Sequence, residues 1–383
     1  VISKRVRDIS SFKVMDVLQR AQELEGEGHH VIHLEVGEPD FPTPEVVREA
    51  AITAIREGKT RYTHAMGMPQ LREEIAGHYW KKYGVRVSPD RVLVTAGTSP
   101  AMLMMMLACI EDGEEVILSN PGYACYPNFV EMAGGVPAWV TTRPEKGFLF
   151  TADDMKRAVG EKTRAVMINS PSNPTGVVIP PDEMKKIADL DVPCIFSDEI
   201  YHGLVYRDRA SSILEYTDRA FVVNGFSKRY AMTGWRLGYL IFPEEFRVVM
   251  ERIHQNFMIS ANSFVQVAGI EALNRADSEV EEMRKVYDSR RTYMIERIRS
   301  MGLKVHLEPT GAFYVLADAR HFCGDSLAEA FSILESVHVG VTPGVDFGSG
   351  AEGFLRFSYA NSMENIREGL DRVEEYLKEK GAC

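Results

Sequence analysis

Lys228 and Arg236 stand eight positions apart in the glycine-punctuated stretch Gly225-Phe226-Ser227-Lys228-Arg229-Tyr230-Ala231-Met232-Thr233-Gly234-Trp235-Arg236-Leu237-Gly238. A lysine amine can condense with an aldehyde to a Schiff base. An arginine presents a planar, permanently charged fork that suits a phosphate. A single phosphorylated aldehyde would employ both residues, whereas a lysine on its own is ordinarily a solvated surface group.

Other segments carry chemistry of a compatible kind. In Thr95-Ala96-Gly97-Thr98-Ser99-Pro100 a strand gives way to a helix, with Ser99 expected as N-cap and Pro100 as the first helical residue. Free backbone N–H groups there can take a phosphate, although such a turn on its own is more often plain structure. Ser197-Asp198-Glu199-Ile200-Tyr201-His202 ends an apolar run, where an ionised Asp198 is costly unless it faces a cation; its other reading is a helix N-cap. Arg356, among the apolar residues of Phe354-Leu355-Arg356-Phe357-Ser358-Tyr359-Ala360, faces either solvent at a sheet edge or an anion. Tyr123, in Asn120-Pro121-Gly122-Tyr123, could stack on a planar ring or simply pack. Asn169-Ser170-Pro171-Ser172-Asn173-Pro174-Thr175-Gly176 is turn chemistry by any reading.

Together these motifs resemble the class I aminotransferases, fold type I enzymes that use pyridoxal 5'-phosphate (PLP). Matching stretches run in family order from Gly37 to Arg356, so the resemblance covers essentially the whole chain. It implies that Lys228 binds PLP covalently and then moves a proton, that Asp198 pairs with the ring nitrogen, and that Asn173 and Tyr201 meet the phenolic oxygen. Tyr123 would stack on the ring, and Gly97, Thr98, Ser99, Ser227 and Arg236 would lie around the cofactor and its phosphate. Arg356, Asn173 and the backbone of Gly37 would receive the substrate α-carboxylate. Tyr62 would reach the phosphate across a homodimer interface. Gly225 stands where the family often has serine, which removes one hydroxyl contact. The implied reaction moves an amino group from an L-amino acid, aspartate or an aromatic one, to a 2-oxo acid such as 2-oxoglutarate. A PLP-dependent C–S β-lyase on the same fold would use the same residues and stays as the alternative. Regulators on this fold carry an N-terminal DNA-binding helical module, for which residues 1–40 leave no room, and no strand is followed by the Gly-x-Gly-x-x-Gly of a dehydrogenase.

These residues need a scaffold. Short β-branched runs at residues 91–95, 115–118, 165–168, 194–197, 221–223 and 239–241 alternate with helical patterns, which predicts an α/β fold. Strands that are apolar throughout belong to a mostly parallel sheet flanked by helices, with ligands at the strand C-terminal ends. Thr43-Pro44-Glu45 reads as a helix start with a hydroxyl cap, and the methionine-rich run at residues 101–110 as a buried helix. A charged helix near residues 278–299 leads to a smaller α+β domain with strands at 312–316, 339–341 and 354–357 and a final helix at 363–377. The expected division is a large PLP-binding domain at residues 41–285 and a small domain of 286–383, which the resemblance completes with residues 1–40.

The 383-residue chain, 45% hydrophobic, can bury a large core. With 44 basic against 55 acidic residues its formal charge is -11, which disfavours nucleic acid and anionic lipid as partners. Its five cysteines, Cys109, Cys125, Cys194, Cys323 and Cys383, show no metal-ligand or redox-pair spacing, so no metal and a reduced, cytoplasmic setting are expected. Residues 1–20 show no signal peptide or membrane anchor.

Overall fold

The computed structural model describes residues 1–7, 9–207 and 209–382; Cys383 lies outside the described residues. In chain order the strands are β1 (Ile32–His33), β2 (Val92–Thr95), β3 (Glu115–Asn120), β4 (Val136–Thr141), β5 (Thr163–Asn169), β6 (Cys194–Asp198), β7 (Ala220–Gly225), β8 (Gly238–Ile241), β9 (Tyr314–Asp318), β10 (Val339–Gly340), β11 (Thr342–Pro343) and β12 (Phe354–Ser358). Seven of them form one sheet in the order β2-β8-β7-β6-β5-β3-β4. Its strands are parallel except β8, which runs against both β2 and β7. The α/β expectation is met. Every residue of β2, β6, β7 and β8 is buried, as strands covered on both faces must be, and their side chains are accordingly apolar along most of their length.

One face of this sheet is covered by the helix Thr98–Cys109, whose methionines Met102, Met104, Met105 and Met106 pack against Leu118, Phe196, Phe221 and Leu240. Their unbranched, flexible thioether side chains fill the space between helix and sheet. The helix begins at Thr98, not after Ser99. Gly97 takes the N-cap with φ of 96°, a left-handed conformation that favours glycine, and no side chain caps the first turn. Thr43 does not cap its helix either: Glu45–Arg56 starts behind Pro44, and the Thr43 hydroxyl instead donates to the carbonyl of Ala231 at 2.6 Å and accepts from Trp235 Nε1 at 2.9 Å. A tertiary contact, the Trp235 N–H, has taken the oxygen that a local cap would have offered as acceptor.

Beyond the large sheet, β9, β12 and β11 form an antiparallel sheet, and β1 pairs in parallel with β10. The strand expected at residues 339–341 is observed as β10, paired with the N-terminal segment, and beyond Val341 the chain pairs with β12 as the separate strand β11. The edge strand β4 escaped prediction because Pro137 and alternating exposure give it no continuous apolar run. Asp346 fastens the start of the helix Lys13–Gly26, accepting from the backbone N–H groups of Lys13 and Val14 at 2.8 and 3.1 Å. Among the described residues no helix is long and apolar enough to cross a membrane.

A close backbone approach joins β8 to the turn after β2. A Cβ added to Gly238 would lie 2.7 Å from the carbonyl carbon of Gly97 and 2.9 Å from the nitrogen of Thr98, both backbone atoms that cannot swing aside. Gly238→Ala is expected to destabilise the protein by about 1–3 kcal/mol. Gly77→Ala, inside the helix Pro69–Tyr83 with nothing within 4 Å of the added carbon, is expected to stabilise it by about 0.5–1 kcal/mol. Urea unfolding of the two variants checks the contrast.

Candidate active site

Five chain crossings deliver side chains to one edge of the large sheet. β2 ends at the Gly97 turn, β3 before Tyr123, β5 before Asn173, β6 at Asp198 and β7 before Lys228. Above that edge lies a cavity of about 630 Å³ lined by Gly37, Thr98, Ser99, Tyr123, Asn173, Asp198, Tyr201, Ser227, Lys228, Arg236 and Arg356, together with residues the motifs did not single out. Strand C-terminal ends are where an open parallel sheet leaves room for ligands. Gly97 is not on the lining but sits against Arg236. Tyr62 is 81% exposed and lies away from the cavity.

Lys228 is drawn inward, its Nζ donating to the Gly37 carbonyl at 2.6 Å. Burial pushes its amine down to about 8, with Glu38 acting against the shift and the Arg356 and Arg236 charges adding to it. A buried lysine near 8 is one that can hold or release a proton around neutrality. The loop carrying it holds two non-glycine residues at positive φ, Ala231 at 50° and Arg236 at 55°, a sparsely populated region that the surrounding packing must maintain.

Asp198 is 3% exposed. Tyr126 donates its hydroxyl to Oδ2 at 2.7 Å and the Ile200 N–H donates to Oδ1 at 3.1 Å. No helix follows for Asp198 to cap, because residues 200–203 form a turn. Burial pushes its carboxyl up to about 6, while the Tyr126 and Ile200 hydrogen bonds and the more distant Lys228 charge oppose the rise. The adjacent Glu199 faces away into a separate buried network with Tyr79, Ser197, Ser212 and the Ile213 N–H.

Arg356 is 2% exposed and has no acidic partner within ion-pair distance among the described residues. Its guanidinium donates to Asn173 Oδ1 at 2.8 Å, to the Glu35 carbonyl at 2.5 Å and to Thr342 Oγ1 at 2.9 Å, lies over the Tyr314 ring at 4.1 Å, and leaves Nε without a partner. Arg236 donates to the Thr233 carbonyl at 2.9 Å and packs against Gly97, where a side chain would displace it. The uncapped N–H groups at Thr98 and Ser99 and the Arg236 fork thus meet at one end of the cavity. Tyr201 shares a 2.9 Å hydrogen bond with Tyr314, and Tyr123 receives the edges of Phe12 and Tyr126. Sequence reasoning missed Tyr126, Tyr314, Glu38 and the wall formed by Phe12, Val14, Met15 and Leu18.

This donor set fits PLP. A buried carboxylate without a cation, an uncapped helix start beside an arginine, and a buried lysine line one cavity, and these are the groups that a protonated pyridine, a phosphate and an aldehyde require. Residues 29–373 match the sequence model of the family described as Aminotransferase class I and II. The chain is 40% identical to the (5-formylfuran-3-yl)methyl phosphate transaminase of Methanocaldococcus jannaschii, over 98% of this chain and 100% of that one. It is 38% identical to the aspartate/prephenate aminotransferase of Thermus thermophilus, over 98% of both chains. Among solved structures, aspartate aminotransferase from Thermus thermophilus with maleate has a TM-score of 0.94 at 38% identity, covering 98% of this chain and 99% of that one.

Asp198 gives a pH signature. Between its ordinary 3.8 and its buried value of about 6, the folded cofactor-stripped chain keeps a proton that the unfolded chain has released, so stability falls as pH rises through that window. Asp198→Asn abolishes this titration. Relative to wild type, the stripped variant is expected to gain on the order of 3 kcal/mol as the pH goes from about 4 to about 7. Parallel stability curves from denaturant unfolding across that range would refute the burial argument.

Proposed function

Because the chain belongs to the class I and II aminotransferases, which depend on PLP, we propose that it carries the amino group of an L-amino acid, aspartate or an aromatic one, to 2-oxoglutarate. The observation that supports this reading is the set of buried charges lacking counter-charges within one cavity: Asp198 without a cation, and Arg356 without an anion. A ligand bearing a protonated ring nitrogen and a substrate bearing a carboxylate supply what each lacks.

In this proposal Lys228 holds the cofactor, Asp198 holds the proton on its ring nitrogen, and Asn173 and Tyr201 donate to its phenolic oxygen. Tyr123 lies against the ring. Arg236, Ser227 and the turn at Gly97, Thr98 and Ser99 hold the phosphate. Bound PLP supplies the electron sink for the charge left at Cα. Arg356 grips the α-carboxylate as a fork, with Asn173 and the Gly37 backbone beside it, and so turns the Cα–H toward Lys228. Lys228 Nζ, once free, takes that proton as a base and returns it as an acid, a role that suits an amine near 8. Tyr62, largely exposed in one copy, reaches the phosphate site of a second copy in a homodimer. Residues 41–285 act as the cofactor-binding domain, and residues 1–40 with 286–383 as the smaller domain bearing Arg356. The cysteines among the described residues are unpaired, in keeping with a cytoplasmic enzyme.

Borohydride treatment of the PLP-loaded protein followed by peptide mapping should find the pyridoxyl group on Lys228, and an adduct on another lysine would refute the assignment. Arg356→Ala is expected to lower kcat/KM for the amino donor by the equivalent of about 2–5 kcal/mol while the protein still retains PLP. Steady-state assays of glutamate formation, run beside absorbance measurement of bound cofactor, decide it. Unchanged kinetics at full occupancy would remove Arg356 from substrate binding, and release of thiol and a 2-oxo acid without any acceptor would point to the lyase instead.

A further inference from the structure

We infer that Tyr126 is a positioning residue for the reaction: its hydroxyl fixes one carboxylate oxygen of Asp198 so that the ionised group stays aimed at the cofactor's ring nitrogen. The inference rests on the reading above that Asp198 meets that nitrogen.

Tyr126 is the first residue of the helix Tyr126–Met132, is 4% exposed, and places its hydroxyl 2.7 Å from Asp198 Oδ2. Its ring packs edge-on against Tyr123 at 5.1 Å and 78°, and a phenylalanine would fill that space equally well. What packing does not account for is the hydroxyl, which in a dry interior needs a partner and here has an anion. The groups facing Asp198 from each packed element are few. Asn169 of β5 donates its amide at 3.0 Å to the backbone carbonyl of Asp198, not to the carboxylate. Tyr201 is engaged with Tyr314, and Lys228, from the loop after β7, acts on Asp198 only through its charge. Tyr123, on the other side, packs against the Tyr126 ring and is not among the hydrogen-bond donors to the carboxylate. Of the hydrogen bonds to the carboxylate, the Ile200 N–H serves Oδ1 and Tyr126 serves Oδ2.

The direction of the effect follows. Burial favours the protonated carboxyl, and a fixed O–H donor favours the ionised one. Burial and then the charge of Asp198 hold the Tyr126 hydroxyl itself well above its ordinary range, so it always donates. With both carboxylate oxygens already held from the protein side, the group cannot swing about its side-chain bonds, and its remaining lone pairs are left for a cation in the cavity.

Tyr126→Phe keeps the ring and removes the bond. In cofactor-stripped protein with carboxyl-labelled aspartate, and with the Asp198 signal assigned through Asp198→Asn, the carbon NMR titration of Asp198 should move up by about one pH unit or more. The dissociation constant for PLP should rise about tenfold. In an Asp198→Asn background the same tyrosine change should leave that constant unaltered, a coupling that a merely structural role would not produce. Should Tyr126→Phe fail to fold, Tyr126→3-fluorotyrosine, a more acidic donor of the same shape, should move the Asp198 midpoint down. An Asp198 titration unmoved by either change overturns the inference. A titration that moves while Tyr126→Phe and Asp198→Asn both bind PLP as tightly as wild type refutes instead the pairing of Asp198 with the ring nitrogen.

Discussion

Charge held out of water without its counter-charge is the constraint on which this structure turns. Asp198 and Arg356, each at most 3% exposed, face one cavity, and neither has an oppositely charged protein partner in hydrogen-bond contact. Burying an ion in this way costs several kcal/mol even after relaxation, and the chain offsets only part of it with neutral donors and acceptors: Tyr126 and a backbone N–H for the aspartate, a side-chain amide, a carbonyl and a hydroxyl for the arginine. The remaining deficit is what makes the cavity selective. A ligand that brings the missing charges in the right places recovers energy that a neutral molecule of the same shape cannot.

Holding such a site open takes a rigid frame. The parallel strands provide it by ending together at one edge, and the only reversed strand, β8, returns the chain from the lysine loop to lie beside β2. That return permits Gly238 to touch the turn at Gly97, which in turn packs against Arg236. The lysine loop is gripped from the other side by Thr43, whose hydroxyl joins the carbonyl of Ala231 to the indole of Trp235. Ala231 and Arg236 can keep their positive φ values because both flanks of the loop are tied.

Much of this is legible in the sequence, for a physical reason. The inner strands of the large sheet are covered on both faces and read as apolar runs, and β6 ends in an acid whose burial there demands an explanation. Asp198 stands out on those grounds, Lys228 by its spacing to Arg236 in a glycine-punctuated stretch, and Arg356 as a charge among apolar strand residues. The pieces that escaped are defined by contacts across long sequence distances. Tyr126 reaches Asp198 72 residues away and Tyr201 meets Tyr314 across 113, and neither Tyr126 nor Tyr314 differs locally from an ordinary core aromatic. Ser99 was misread as a cap because a serine before a proline is the usual signal, whereas here the helix opens two residues earlier, behind a left-handed glycine. Thr43 was misread because a hydroxyl has more than one possible partner and tertiary structure chose the other.

The pairing of β1 with β10 sets an order of events during synthesis. All strands of the large sheet are complete once Ile241 has been made, so that sheet can assemble while the rest of the chain is still to come. The helix Lys13–Gly26 and β1 cannot settle then, because Leu334, Val339 and Asp346 do not yet exist. Val17, Ala21, Leu24 and Val31, all buried in the finished protein, must wait exposed. Until those residues are made, this apolar segment stays without its native partners, and that interval is when such surface is open to non-native contacts.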